Sequence, residues 1–244
     1  MTYRLVLWNI DLTLVDVARV SRDAYADAFH RVTGRPLVAL PQIAGQTDSE
    51  IFFEALALNQ AASGPSEAGG QELLAAYIRE LADAFSARRQ LLGEQGRALP
   101  GAKEAVAAAA ALPGMVQSVL TGSIRPNAVT KLLAFGLEPF LDLEIGGYGS
   151  EIYLKGTQLM ETRRRAAAKY GAEFGPGSTV YLADSSRDVG AAGIGGARCV
   201  AIASGRSTAG ELRAAGADVV IDDLCDVAAV VGAIDRLTSP VSAG

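Results

Sequence analysis

Short apolar runs rich in Val, Ile and Leu recur at Leu5 to Trp8, Val116 to Leu120, Leu141 to Ile145, Thr179 to Ala183, Cys199 to Ala203 and Asp218 to Ile221. Strands buried on both faces have this pattern, a continuous apolar stretch in place of strict alternation. Between the runs, helical periodicity predicts helices at about 101–112, 124–135, 157–171, 187–194, 207–215 and 224–237. Pro100-Gly101 opens the first, Pro126 sits just inside the second, and Gly136 and Gly171 follow the second and third, which is how helices start and stop. Strand alternating with helix predicts an α/β fold with a doubly wound parallel sheet, whose ligands bind outside the carboxyl ends of the strands.

Residues 16–98 break that rhythm. Their apolar positions recur at helical spacing, as in Val20, Ala24, Ala28 and Val32, then Ile51, Phe52, Ala55 and Leu56, then Leu73, Ala76, Ile78, Leu81 and Phe85. No strand is expected there, and Gly34 and Gly93 are the expected helix stops. The chain therefore divides into a core of residues 1–15 and 99–244 and an all-helical cap of residues 16–98 inserted after the first strand, with hinges near Val15 to Val17 and Gly96 to Pro100.

Composition narrows the classes. Half of the 244 residues are hydrophobic, enough for one sizeable core. The 22 basic residues are scattered among 27 acidic ones, for a net charge of -5, so no nucleic-acid backbone partner is expected. Cys199 and Cys225 lack metal-ligand spacing and read as buried free thiols. No apolar run reaches the roughly 20 residues that span a bilayer, and Met1-Thr2-Tyr3 leads directly into a strand. A soluble cytoplasmic protein without a membrane partner is expected.

Four positions at predicted strand ends carry the candidate chemistry. They are Asn9 with Asp11 in Trp8-Asn9-Ile10-Asp11-Leu12-Thr13, Thr121 in Leu120-Thr121-Gly122-Ser123, Lys155 beyond the Gly146 to Gly149 loop, and Asp184 with Asp188 in Asp184-Ser185-Ser186-Arg187-Asp188. Thr121, Gly122 and Ser123 lie between a strand and a Pro-started helix, where free backbone N–H groups suit an anion. In this order the four motifs resemble the haloacid-dehalogenase (HAD) superfamily of hydrolases, in its phosphoglycolate-phosphatase-like branch with a helical cap. The resemblance implies that Asp11 is the general acid/base, that Thr121 and Lys155 hold the substrate's anion, and that Asp184 and Asp188 hold magnesium. Asp188 would alternatively orient Asp184 or Lys155. Gln46 and Asp48 resemble the cap's substrate-facing turn, with a plain helix N-cap as the other reading. His30, on a cap helix among apolar neighbours, reads as structural.

Two departures stand side by side. Asn9 replaces the family's nucleophilic aspartate, and a neutral amide cannot form the covalent ester on which the usual hydrolysis depends. Leu12 replaces a glycine and should narrow or dry the space above the site. With Asn9 offering only an amide oxygen, Mg2+ binding is expected to be weakened or lost. The expected function is a noncanonical HAD-like enzyme acting on a small anionic molecule, free or presented by a carrier protein. Asp11 would serve as base while the anion site, Thr121 and Lys155, assists intramolecular displacement or elimination of sulfate or phosphate, with ring closure in natural-product biosynthesis as one such use. The alternatives are a phosphate-monoester phosphatase carrying an engineered Asp-to-Asn trap at position 9, direct attack by a water that Asn9 orients, and a non-catalytic HAD-fold binding protein.

Overall fold

The computed structural model describes residues 3–60, 67–150 and 154–239. Residues 61–66, inside the expected cap, lie outside this set. Five strands form one parallel sheet: β1 (Arg4–Trp8), β4 (Met115–Val119), β5 (Thr179–Ala183), β6 (Arg198–Ile202) and β7 (Val219–Ile221), in the order β4-β1-β5-β6-β7. Every residue of β1 and β5 is buried. Alternate side chains face opposite layers. Val6, Trp8, Val180 and Leu182 pack with helices α5 (Ala102–Ala110) and α10 (Val227–Thr238), while Leu5, Leu7, Tyr181 and Ala183 pack with α7 (Lys155–Tyr170), α8 (Ser186–Gly195) and α9 (Ala209–Ala214). This is the doubly wound parallel sheet that the continuous apolar runs predict.

Helices α1 (Ala18–Thr33), α2 (Asp48–Leu58), α3 (Glu67–Ser86) and the short α4 (Leu92–Gln95) occupy the stretch between β1 and α5. At its two ends the chain pairs with itself in a small antiparallel ribbon, β2 (Val15–Asp16) against β3 (Arg97–Ala98), which the purely helical expectation had missed. Gly34 ends α1 in the left-handed conformation at φ 69°, as expected of a glycine stop. Gly93 stops nothing: α3 has ended at Ser86, and Gly93 lies inside α4.

Other expectations need correction. Leu141 to Ile145 is not a strand. Leu141 and Ile145 are buried and Leu143 is half-buried, but the segment forms no ladder: Asp142 N–H donates to Gln117 O, and among the described residues the bridge beside β4 joins Leu120 to Gly147. Cys225 is exposed, whereas Cys199 is buried as expected. His30 is exposed on the last turn of α1 rather than packed among apolar neighbours. Among the described residues no helix is long and apolar enough to cross a membrane.

Candidate active site

The sheet's carboxyl edge gathers the motif residues because β1, β4 and β5 are adjacent and parallel. Asn9 follows β1 and is anchored by its N–H to Leu182 O at 2.9 Å. Its side chain is almost fully buried. The amide Nδ2 donates to Asp11 O at 2.9 Å, to Thr13 Oγ1 at 3.2 Å and to Asp184 Oδ1 at 2.9 Å. Its Oδ1 faces Lys155 Nζ at 3.4 Å, which sets the orientation, since a flipped amide would point a donor at an ammonium.

Asp11 lines the same cavity as Asn9 but has different side-chain partners, one of them a residue that sequence reasoning missed. Lys131, on α6 (Arg125–Ala134), reaches both carboxylate oxygens at 2.8 and 2.7 Å. Ser123 Oγ donates to Asp11 Oδ2 at 3.0 Å and accepts from Lys131 Nζ at 2.8 Å. The lysine side chain is 3% exposed and the Asp11 side chain 40%, so a buried cation backs an accessible carboxylate. The signal was available: Lys131 falls on the same buried helix face as Ala128 and Leu132, an unusual place for a lysine without a partner.

Lys155 is the first residue of α7 rather than part of a loop. It donates to Asp188 Oδ1 at 2.5 Å, and Tyr181 OH donates to the same oxygen at 2.9 Å. Ser185 Oγ donates to Asp188 Oδ2 at 2.5 Å. Asp188 is thus fully enclosed and orients Lys155. Asp184 accepts from Asn9 and Thr13, and burial, reinforced by neighbouring Asp188, pushes its carboxyl up to about 6. Thr121 is buried one layer back, where its Oγ1 accepts from Ser123 N–H at 3.1 Å.

The cap side closes on this edge. Thr47 caps α2 in a reciprocal box with Glu50, which leaves Gln46 just outside the helix and Asp48 at its first turn. Asp48 N–H donates to Gly122 O at 2.8 Å, and Ser49 Oγ donates to Gly149 O at 2.9 Å. A Cβ on Gly122 would stand 1.9 Å from Gln46 O, so glycine alone permits this approach. The Asp48 carboxylate accepts from Tyr25 OH at 2.6 Å and from Ile124 N–H at 2.8 Å. One backbone N–H at the start of α6 is therefore taken by the cap's own carboxylate, rather than left free for an external anion as the sequence suggested. Burial pushes Asp48 up to about 6, against the opposing pull of the Tyr25 hydrogen bond and Lys131. Burial likewise holds the Tyr25 hydroxyl well above its usual value.

A cavity of about 80 Å³ lies between cap and core, lined among others by Asn9, Asp11, Ser123, Lys155, Asp184 and Arg206. Gly122, Gln46 and Asp48 also line it, while Thr121 and Asp188 do not. Leu12 lines the cavity with φ at 60°, the left-handed region that a side chain occupies at a cost. The turn it makes is secured by Leu12 N–H to Val15 O at 2.8 Å and by Ser204 Oγ to Leu12 O at 2.7 Å. The leucine thus makes the glycine-like turn and also adds apolar wall to the site.

The haloacid dehalogenase-like hydrolase family model matches residues 6–193, well over half of the chain, and a HAD-hydrolase-like model matches residues 160–227. The chain belongs to the HAD family. Solved structures share its fold at low identity. A predicted phosphatase from Clostridium acetobutylicum superposes with a TM-score of 0.69 at 17% identity, covering 96% of this chain and 99% of the other. A predicted phosphoglycolate phosphatase from Haemophilus somnus gives 0.62 at 20% identity, covering 94% and 98%. A β-phosphoglucomutase from Clostridium difficile gives 0.67 at 12% identity, covering 96% and 98%. No curated protein sequence matches the chain.

HAD proteins typically use Mg2+, so this HAD chain must be tested for a fit. Magnesium prefers a near-octahedral set of oxygens. Here Asp184 Oδ1 and Asp11 O both accept from the Asn9 amide, and Lys155 opposes the flip that would turn the amide oxygen toward them. A Cβ on Gly205 would stand 2.0 Å from Asp184 Oδ2, so backbone crowds the second oxygen. Among the described residues no group of three or more His, Cys, Asp and Glu side chains could hold a metal. The residues as arranged do not fit the ion.

Proposed function

We propose that this HAD-family chain binds a small sulfate or phosphate ester and assists its displacement by a nucleophile within the same substrate. The observation that carries this reading is the arrangement of carboxylates around the cavity. Asp184, Asp188 and Asp48 are buried and committed to internal partners, and position 9 offers an amide; Asp11 alone stands accessible, paired with Lys131. Lys131 and Ser123 fix the Asp11 carboxylate at the cavity where water reaches it, the placement a general base needs.

In the proposed step a substrate amine or hydroxyl loses its proton to Asp11 Oδ, and its lone pair forms a bond to the carbon that bears the ester. The carbon–oxygen bond breaks, and its electron pair leaves with the sulfate or phosphate. Lys155, whose ammonium is steered by Asp188, and Arg206 at the cavity wall supply positive charge to the departing oxygens. Sulfate, the singly charged group, suits a site without a metal better than a phosphate dianion. Ring closure in a biosynthetic pathway is one reaction of this class.

The experiment compares the chain with Asn9→Asp and Asp11→Asn. All three are assayed on phosphate and sulfate monoesters, with and without magnesium, and on sulfate esters carrying an internal amine. We expect no hydrolysis of simple esters by the chain and loss of ring closure in Asp11→Asn. Rapid magnesium-dependent phosphate hydrolysis confined to Asn9→Asp, with no ring closure by the chain, supports instead a phosphatase that has lost its nucleophile.

A further inference from the structure

Two polar atoms buried beside the cavity have no partner. Gln46 and Ser21 are each 6% exposed and line the cavity from the cap side, and Gln46 Oε1 and Ser21 Oγ make no hydrogen bond. Unpaired buried acceptors are unfavourable by about 1–3 kcal/mol each, so such pairs point to a missing bond rather than to packing. The Gln46 amide cannot turn to present its nitrogen, because Nε2 donates to Glu54 Oε2 at 2.7 Å. A carboxylate needs a donor there, which leaves the carbonyl oxygen as the group offered to a ligand. The core wall of the same cavity is cationic, through Lys155 and Arg206, with the accessible carboxylate of Asp11 between the two sides.

We infer that the cavity recognises a substrate bearing a primary amine, whose N–H groups pair with Gln46 Oε1 and Ser21 Oγ while its ester anion lies toward Lys155. Gln46 Oε1 can only accept, whereas Ser21 Oγ can donate or accept, so a hydroxyl could also meet both atoms; what selects an ammonium is its third N–H and its positive charge, which suit the Asp11 carboxylate on the same cavity. The inference rests on the proposed anion-displacement reading and deepens it, because the amine it selects is also the nucleophile that Asp11 would deprotonate. Ser21 then becomes a specificity residue that no motif marked, and Glu54 a positioning residue that acts through the Gln46 amide.

Calorimetric titration of the full chain with ethyl sulfate, 2-hydroxyethyl sulfate, 2-aminoethyl sulfate and ethylammonium tests this. We expect 2-aminoethyl sulfate to bind about tenfold more tightly than ethyl sulfate, the scale of hydrogen bonds to a charged group, with the hydroxyl compound between them. The amino-to-ethyl ratio should collapse toward one in Gln46→Leu and fall in the milder Ser21→Ala and Glu54→Leu, with circular dichroism checking that each variant folds. Equal binding of amino and ethyl sulfates, or a ratio that survives the combined Gln46→Leu and Ser21→Ala change, overturns the inference and leaves the anion site standing. Binding of ethylammonium, lost in Gln46→Leu, without binding of any sulfate ester supports the amine site and removes the anion reading. No binding of any of the four overturns both.

Discussion

Replacing Asp48 by Asn isolates what one buried carboxylate does to the closed cap. Asp48 lies at 2% exposure between Tyr25 OH and Ile124 N–H, and burial raises its carboxyl from 3.8 to about 6. An acid raised in the folded state adds stability that is fully present below pH 3.8 and is lost as pH rises through about 6. At about 1.36 kcal/mol for each tenfold change in proton affinity, the loss across that window is on the order of 3 kcal/mol. Asparagine keeps the shape and can still accept from Ile124 N–H, but it cannot ionise. At pH 4 the variant should be less stable than the parent by about 1 kcal/mol, for the weakened Tyr25 contact. By pH 7.5 the sign should reverse, the variant being about 2 kcal/mol more stable. Urea unfolding of both proteins at half-unit steps between pH 4 and 8 reads this directly, because groups remote from Asp48 titrate alike in both proteins. A difference that stays flat within about 0.5 kcal/mol over that range would refute the claim that Asp48 ionises at a cost inside the closed cap.

Three further perturbations follow from the site geometry. Lys155→Met leaves Asp188, which is fully buried, without its cation and should destabilise the fold by about 3–5 kcal/mol; adding Asp188→Asn should return most of it, and urea unfolding of the single and double variants checks both. Lys131→Met strands a carboxylate that water already reaches, so stability should change by less than about 1 kcal/mol, while ring closure on an aminoalkyl sulfate should slow at least about a hundredfold; unchanged turnover removes Lys131 from the site. Leu12 carries its side chain at φ 60°, so Leu12→Gly should be more stable than Leu12→Ala by about 1 kcal/mol in thermal or urea unfolding, whereas an inverted order would mean that the turn is not strained.

The sheet was legible in the sequence because burial on both faces demands continuous apolar strands, and the described β1 and β5 have no exposed residue. The same signal misled at Leu141 to Ile145. That segment buries Leu141 against one layer of the core and Ile145 against the other, yet it runs beside β4 without a ladder. Burial pattern reports which residues are enclosed, and hydrogen bonding decides whether they pair. The ribbon of β2 and β3 was missed for the opposite reason. Two-residue strands carry no periodicity, and Val15 meets Ala98 only because the helices between them return the chain to its starting point.

The site divides along the same line. Motifs local in sequence placed Asn9, Asp11, Lys155 and Asp184 together, and the amide at position 9 could be read from one letter. The partner of Asp11 is Lys131, 120 positions away; helix periodicity marks that lysine as buried, but no local pattern names the group it meets. An amide at position 9 cannot form the ester that a carboxylate would. A lysine on the buried face of α6 bonds both oxygens of Asp11 and fixes where that carboxylate stands at the cavity. The amide at position 9 is held by Asp184 and Lys155, and the accessible carboxylate of Asp11 by Lys131 and Ser123, so the two neighbouring side chains belong to separate hydrogen-bond networks.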